Sequence, residues 1–322
     1  MKTRNIMEMC IIMKTKILVI GSANMDFVSN TERLPKAGET ITSAKNYSLV
    51  PGGKGANTAL AAARLGADCT FCGRVGDDAY GEKLTGFYNS EDINTAYLRK
   101  SCHPTGLATI IVEGNGDNRI IVYPGANLQI TTDDVRDAIG EQPEAVLLQL
   151  EIDYERVVEA TRYCELSGIP AVLDAGPANR NLDLSRLGKL EIFTPNETET
   201  EIFTGIKPEA YQSCLNAAIK LSKMVTAKYI VIKLGKRGCF VYDGKYANFY
   251  ESYKVNAVDT TAAGDSFTAA LTLEYCRNGR NIAEAAKFAN AVGALVVSKA
   301  GAAPSIPFLS EVKSFMSERE GQ

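Results

Sequence analysis

The stretch AVDTTAAGDSF (257–267) holds two acids, Asp259 and Asp265, separated by threonines, alanines and a glycine. Such small residues let backbone amides approach a ligand closely. The run that follows, SFTAALTLEYCRNG, has an apolar face through Phe267, Ala270, Leu271 and Leu273, which predicts a helix. A helix N-terminus presents unpaired N–H groups and a positive dipole end, so the junction suits an anion. Asp265, just inside it, is either an N-terminal cap or a base held beside a phosphate.

Four other stretches carry residues of similar promise. PGGKGAN (51–57) sets a glycine pair and Lys54 before an Ala-rich run. Its spacing is not that of a P-loop. The glycines admit a small polar ligand, with Lys54 and Asn57 as donors; a tight strand-to-helix turn is the alternative. GSANMD (21–26) follows the first apolar run, and ligands gather at the C-terminal ends of parallel strands. It lacks the GxGxxG dinucleotide fingerprint. Asn24 and Asp26, two apart on an extended segment, face one side and suit vicinal hydroxyls; an Asx turn is the other reading. In TPNETE (194–199), Asn196 and Glu199 suit a phosphate–Mg²⁺ cluster, because Mg²⁺ takes few carboxylates plus waters. The alternative is a helix N-terminus with acids in its first turn. KLGKRG (233–238), taken alone, reads as a hairpin turn between YIVIKL and GCFVYD.

Strands alternating with helices must position these groups. KILVIG is a compact apolar run of the kind that forms a buried parallel strand, and NTALAAARLGA is a helix stopped at Gly66. DCTFCGRVG reads as a strand and AYGEKLTGFYNS as a helix; AVLLQLE, YERVVEATRYCELSG, IPAVLDA, LEIFTPNE, TETEIFTG, AAIKLSKM and KYIVIKLG continue the rhythm. The order predicts an α/β fold, a doubly wound parallel sheet with helices on both faces. Residues 27–50 lack a helical period, and residues 106–124 read as a hairpin about a Gly-Asn-Gly-Asp turn. Neither fits a crossover helix, so both are expected in a small protruding β-sheet, a lid or a dimer surface.

Bulk properties narrow the partners. An apolar fraction of 45% and a charged fraction of 23% are those of an ordinary globular chain. A net charge of −3 without a long basic run argues against nucleic acid or an anionic membrane. No run approaches the ~18 apolar residues of a membrane span. Eight scattered cysteines fit reduced thiols in a cytoplasm. The pair in CTFC, Cys69 and Cys72, has neither a helix N-terminus nor a second pair nearby, so buried thiols are expected rather than a redox or zinc centre. The single histidine, His103, lies beside Pro104 in a polar stretch, which argues against a multi-His metal site and a His-based triad. The opening MKTRNIMEMCIIM has a short apolar part interrupted by Glu8 and no small-residue cleavage site. Residues 1–15 are therefore expected to be a disordered extension, with Met13 an alternative start.

GSANMD, PGGKGAN, TPNETE, KLGKRG, DTTAAGD and GAAPSIP occur in an order that closely resembles the ribokinases within the PfkB-type carbohydrate kinase family. DTTAAGD marks the superfamily, and GGKGAN with GSANMD narrows the match toward ribose. The resemblance runs from Lys16 onward and implies one ribokinase-like domain over residues 16–322. It implies phosphorylation of the 5-hydroxyl of D-ribose by ATP with Mg²⁺, in a cytoplasmic homodimer built through the β-lid. Asp265 matches the catalytic base, and Ala262, Ala263 and Gly264 the anion hole around the transferring phosphoryl group. Asn24, Asp26, Gly53, Lys54, Asn57 and Glu151 match sugar-binding positions. Asn196, Lys233, Gly235, Arg237, Gly238 and Asn290 match nucleotide contacts, and Glu199 the acid associated with Mg²⁺. Asp259, Thr261, Val296, Lys299, Gly301 and Ser305 match a site for an activating K⁺. Lys233 departs from the pattern, since related kinases often carry Thr there. Outside the kinases, a sugar-binding regulator on a kinase fold is opposed by the retained Asp265 and anion hole. A nicotinamide-dependent oxidoreductase is opposed by the missing GxGxxG.

Overall fold

The computed structural model describes residues 14–43, 45–114 and 117–320. The expected extension thus falls, up to residue 13, outside the described residues. From the N-terminus the elements are β1 (Lys16–Ile20), β2 (Asn24–Asn30), β3 (Tyr47–Gly52), α1 (Lys54–Arg64), β4 (Asp68–Gly76) and α2 (Ala79–Ser90). They continue with β5 (Asn94–Ser101), β6 (Gly106–Val112), β7 (Asn118–Tyr123), α3 (Thr132–Gly140), β8 (Ala145–Leu148), α4 (Tyr154–Ser167) and β9 (Ala171–Asp174). Next are β10 (Leu190–Thr194), α5 (Glu197–Thr204), α6 (Tyr211–Ser222), β11 (Ala227–Lys233) and β12 (Cys239–Tyr242). The chain ends with β13 (Ala247–Tyr250), α7 (Ala263–Arg277), α8 (Ile282–Val297) and α9 (Leu309–Glu320).

Among the described residues the larger sheet runs β13-β12-β11-β10-β9-β8-β1-β4-β5. From β5 to β11 every neighbouring pair is parallel. The apolar runs that form it are buried on both faces, as a parallel sheet covered by helices requires. Ile17, Val19 and Phe71 pack toward α1, α7 and α8, whereas Leu18, Ile20 and Cys72 pack toward α3 and α4. The chain leaves β1 toward β4 on one side and returns to it through β8 on the other. That reversal makes β1 the topological switch point, where ligands bind in open α/β sheets. The parallel expectation needs one extension: β12 and β13 add antiparallel strands beyond β11.

The smaller sheet has the order β3-β2-β6-β7. It begins earlier than the sequence suggests. β2 starts at Asn24, so Asn24 and Asp26 belong to this sheet rather than to the end of β1, and β3 continues to Gly52. The cause is local: Gly21 to Ala23 break the first strand, and residues from Asn24 pair with both β3 and β6. The hairpin at residues 106–124 forms, with Val112 opposite Asn118. Asn115 and Gly116 of its turn lie outside the described residues. Strand β7 is exposed throughout, including Ile120 and Ile121, each 54% accessible.

The cysteine expectation is met where it can be seen. Cys69 and Cys72 are free and buried, and burial pushes both thiols up, that of Cys72 to about 12. Neither is poised as a nucleophile.

Candidate active site

Asp265 sits in the first turn of α7, whose N-cap, Ala262, takes a left-handed backbone with φ 61°. The Ala263 N–H donates to the Thr260 carbonyl at 3.2 Å. The amides of Gly264 and Asp265 are therefore the first-turn groups that lack an acceptor inside the helix. The Asp265 side chain is 4% exposed. Asn57 Nδ2 donates to its Oδ2 at 2.9 Å, and Lys54 Nζ lies 3.5 Å from its Oδ1. Both partners come from the first turns of α1. That helix starts at Gly53, whose φ of 92° few other residues adopt. The PGGKGAN stretch is thus a strand-to-helix turn and a set of side-chain donors at once.

Negative charge surrounds Lys54. Asp265 foremost, against the opposing effect of burial, and then Asp174, Glu151 and Glu199 hold its ammonium above the usual lysine range. Lys54 is a fixed cation beside the base candidate. Glu151 Oε2 accepts from Ser22 Oγ at 2.6 Å and from the Lys54 N–H at 3.0 Å, which clasps the start of α1 to the end of β1.

The small sheet contributes Asn24 and Asp26. Asn24 Oδ1 accepts from Asn127 Nδ2 at 2.7 Å, and Asn127 Oδ1 accepts from the Ala23 N–H at 2.9 Å. Asp26 is 9% exposed, and its buried Oδ1 has no hydrogen-bond partner. Its Oδ2 lies over the bare Cα of Gly52, where a Cβ would come within 2.0 Å. Burial, and next the charge of Glu151, push the carboxyl of Asp26 up to about 7.

At the ends of β9, β10 and β11 a second polar cluster forms. Asn196 and Glu199 make a capping box on α5: the Glu199 N–H donates to Asn196 Oδ1 and the Asn196 N–H to Glu199 Oε2, both at 2.8 Å. Glu199 is buried, and desolvation raises its carboxyl, with Lys233 pulling the other way and Asp174 adding to the rise. Lys233 Nζ donates to Asp174 Oδ2 at 2.5 Å. A Cβ on Gly264 would stand 3.5 Å from that same Nζ, which places Lys233 against the start of α7.

The remaining nucleotide candidates are bonded to their own chain. Gly235 (φ 53°) and Gly238 (φ 98°) shape the turn between β11 and β12, so KLGKRG is indeed a hairpin turn. Arg237 donates to Glu197 at 2.5 Å and to the carbonyls of Pro208 and Glu209 at 2.6 Å. Asn290 Nδ2 donates to the carbonyls of Tyr250 and Glu251 at 3.0 and 3.2 Å.

Asp259 joins two loops. Its Oδ1 accepts from the Thr261 N–H at 2.9 Å and the Thr261 hydroxyl at 2.6 Å, and its Oδ2 from the Gly301 N–H at 2.9 Å. Burial works against the charged form, but these bonds outweigh it and hold the carboxyl below its ordinary range. Of the other members of this set, the Val296 carbonyl accepts from the Lys299 N–H at 3.2 Å and Lys299 Nζ pairs with Glu311 at 2.8 Å. Ser305 Oγ donates to the Ala302 carbonyl at 2.8 Å.

The donor sets bear on metals. Among the described residues no group of three or more His, Cys, Asp or Glu is arranged to hold an ion. Glu199, with the Asp174 carboxylate nearby already paired to Lys233, offers the few carboxylate oxygens that suit Mg²⁺ carried mainly by waters and substrate phosphates. The K⁺ candidates Asp259 and Ser305 offer oxygen donors of low total charge, the chemistry that suits K⁺, and the Asp259 oxygens accept from Thr261 and Gly301.

Ser22, Asn127, Asp174 and Thr268 are structural parts of the site that the motifs did not single out. One signal was present for Asp174: it closes the apolar run IPAVLD, at a strand end of the kind that meets ligands.

Comparison with known proteins agrees with this fold. Residues 14–309 match the model of the pfkB family carbohydrate kinases. The chain is 38% identical over 305 residues to the ribokinase of Staphylococcus aureus (strain COL), covering 93% of this chain and 99% of that one. It is 34% identical over 307 residues to the deoxyribokinase of Salmonella typhi, covering 94% and 99%. The structure of Arabidopsis thaliana ribokinase complexed with ribose and ATP superposes with a TM-score of 0.85 at 32% identity, covering 94% and 99%. The family match over most of the chain, the identity to curated ribokinases and the shared fold together place the chain in the pfkB family of carbohydrate kinases.

Proposed function

We propose that the protein transfers the γ-phosphoryl group of ATP to the 5-hydroxyl of D-ribose. The observation that carries this reading is the convergence of Asp265, Asn57 and Lys54 at the start of α7, within a fold similar to a ribokinase complexed with ribose and ATP. Asp26, Gly53, Lys54, Asn57 and Glu151, with Asn24 supporting the strand, bind the sugar. A ring hydroxyl donates to the unpartnered Oδ1 of Asp26. Asp265 takes the proton from the 5-hydroxyl as its oxygen attacks, a role worth ~10²–10⁴ in rate. The charge on the transferring group is met by the first-turn amides of α7, by the dipole of that helix and by Lys54. Ala262 and Ala263 shape the turn that presents those amides.

Asn196, Lys233, Gly235, Gly238 and Asn290 line the nucleotide side, with Arg237 bracing the turn. Glu199 is the residue that would hold Mg²⁺, which when bound would neutralise phosphate charge. Asp259, Thr261, Val296, Lys299, Gly301 and Ser305 would hold K⁺, and Asp259 itself steadies the loop before the anion hole through its bonds to Thr261 and Gly301. The exposed apolar strand β7 makes the small sheet a lid that pairs with a second copy. No helix among the described residues is long and apolar enough to cross a membrane.

Deoxyribose is the second reading, supported by the 34% identity to a deoxyribokinase. ADP release with ribose, deoxyribose, fructose and nucleosides, each with ATP–Mg²⁺, decides between them. Ribose is expected to give the highest kcat/KM, and no turnover with any sugar overturns the assignment. The same assay in a large organic cation, with and without K⁺, tests the cation site; equal rates would leave Asp259 a purely structural role.

A further inference from the structure

Asp174 is a buried acid that no motif contains. It ends β9, is 1% exposed, and carries one carboxylate oxygen, Oδ1, without a partner. Its Oδ2 accepts from Lys233 Nζ at 2.5 Å and from Thr268 Oγ1 at 2.7 Å. That hydroxyl also lies 3.0 Å from the Gly264 carbonyl and 3.2 Å from Thr194 Oγ1. Asp174 therefore reaches the anion-binding turn through Lys233, whose ammonium stands against that glycine, while the one proton of the Thr268 hydroxyl serves either Asp174 or the Gly264 carbonyl.

Stability alone is a weak reason for such a pair. Replacing a buried ion pair by apolar groups is often neutral or stabilising, whereas removing one partner leaves an uncompensated charge. A buried lysine and acid at the strand ends beside a phosphate site call for a functional account. A fixed cation aimed at developing charge supplies one, since preorganised groups need no reorganisation during the reaction.

We propose that Asp174 is a positioning residue for phosphoryl transfer, holding the Lys233 ammonium against Gly264 so that the transferring group meets a second fixed cation besides Lys54. The proposal rests on the kinase reading above. In that arrangement Lys233 contributes charge at the reacting phosphoryl group, and Asp174 sets where the charge sits.

The test is a cycle of Asp174→Asn, Lys233→Met and the double variant in the full-length protein, read by melting temperature, kcat and sugar KM. Each single variant leaves a buried partner uncompensated, so both melt lower than wild type, and the double recovers. The expected result is that kcat in the double stays down roughly 10- to 100-fold while sugar KM changes little. A double variant that recovers wild-type kcat along with its melting temperature overturns the proposal, because the pair is then structural. If the double fails to fold, Thr268→Val decides: it removes one bond to Asp174 without changing charge. A several-fold fall in kcat at constant sugar KM supports the role, and unchanged kcat overturns it. Failure of the kinase reading would be seen separately, as a wild-type protein that phosphorylates no sugar.

Discussion

Two buried aspartates face the same region of the molecule from different sheets. Asp265, at the start of α7 on the main sheet, has both carboxylate oxygens engaged, by Asn57 and Lys54. Asp26, on the small sheet, keeps one buried oxygen without a partner and a carboxyl pushed up to about 7. The first acid is held in place by the protein itself, as a group that must meet one proton at one position should be. The second is left to be completed. An unsatisfied buried acceptor is costly in the free protein and favourable once a donor arrives, which is how a binding site rejects molecules that lack the matching hydroxyl. In the proposed reading the main sheet carries the fixed chemistry, and the small sheet adds Asp26 to the sugar contacts supplied by α1 and Glu151.

The largest expected effect breaks the first half of that comparison. Asp265→Asn should lower kcat by ~10²–10⁴ and leave sugar KM largely intact. Near-normal turnover would remove Asp265 from the reaction.

Asp26→Ala tests the second half. Loss of a hydrogen bond to a ring hydroxyl, at ~1–3 kcal/mol, should raise sugar KM roughly 5- to 150-fold and leave ATP KM nearly constant. Equal changes in both would give Asp26 a folding role.

The outer face of the small sheet sharpens the contrast further. If exposed β7, with Ile120 and Ile121, is covered by a second copy, the protein is a dimer at micromolar concentration by light scattering. Ile121→Lys should shift it to monomer and raise sugar KM a few-fold with little change in kcat. A monomeric, fully active wild type would contradict this.

The smallest effect is on stability. Because the folded state raises the carboxyl of Asp26 from 3.8 to about 7, it favours the neutral acid. That contribution is complete below the unfolded value and is lost as pH rises from about 4 through about 7. Asp26→Asn abolishes this titration, so its melting temperature relative to wild type should climb from about pH 4 to about pH 7, then level off. Parallel curves for the two proteins would mean that Asp26 titrates normally.

What could be read from the chain was what depends on near neighbours. The period of AYGEKLTGFYNS gives α2, found at Ala79–Ser90, and the apolar run DCTFCGRVG gives β4, found at Asp68–Gly76. Both follow from side-chain alternation that a helix or a covered strand imposes. Asp265, Lys54 and Asn57 were visible because each lies in a small-residue turn at a helix start. The start of the small sheet at Asn24 was less visible, since only pairing with both β3 and β6 separates that strand from β1.

Residue order alone carries the alternating α/β pattern, the small-residue start of α7 and the family of the chain. The tertiary structure decided which distant residues meet. Asn127 supports Asn24 across 103 positions, and Lys233 pairs with Asp174 across 59. Neither pair leaves a periodic trace, because their meeting depends on sheet order and strand register. The same holds for the orphaned oxygen of Asp26: whether a carboxylate is satisfied depends on every element packed around it, and no stretch of neighbouring residues encodes that.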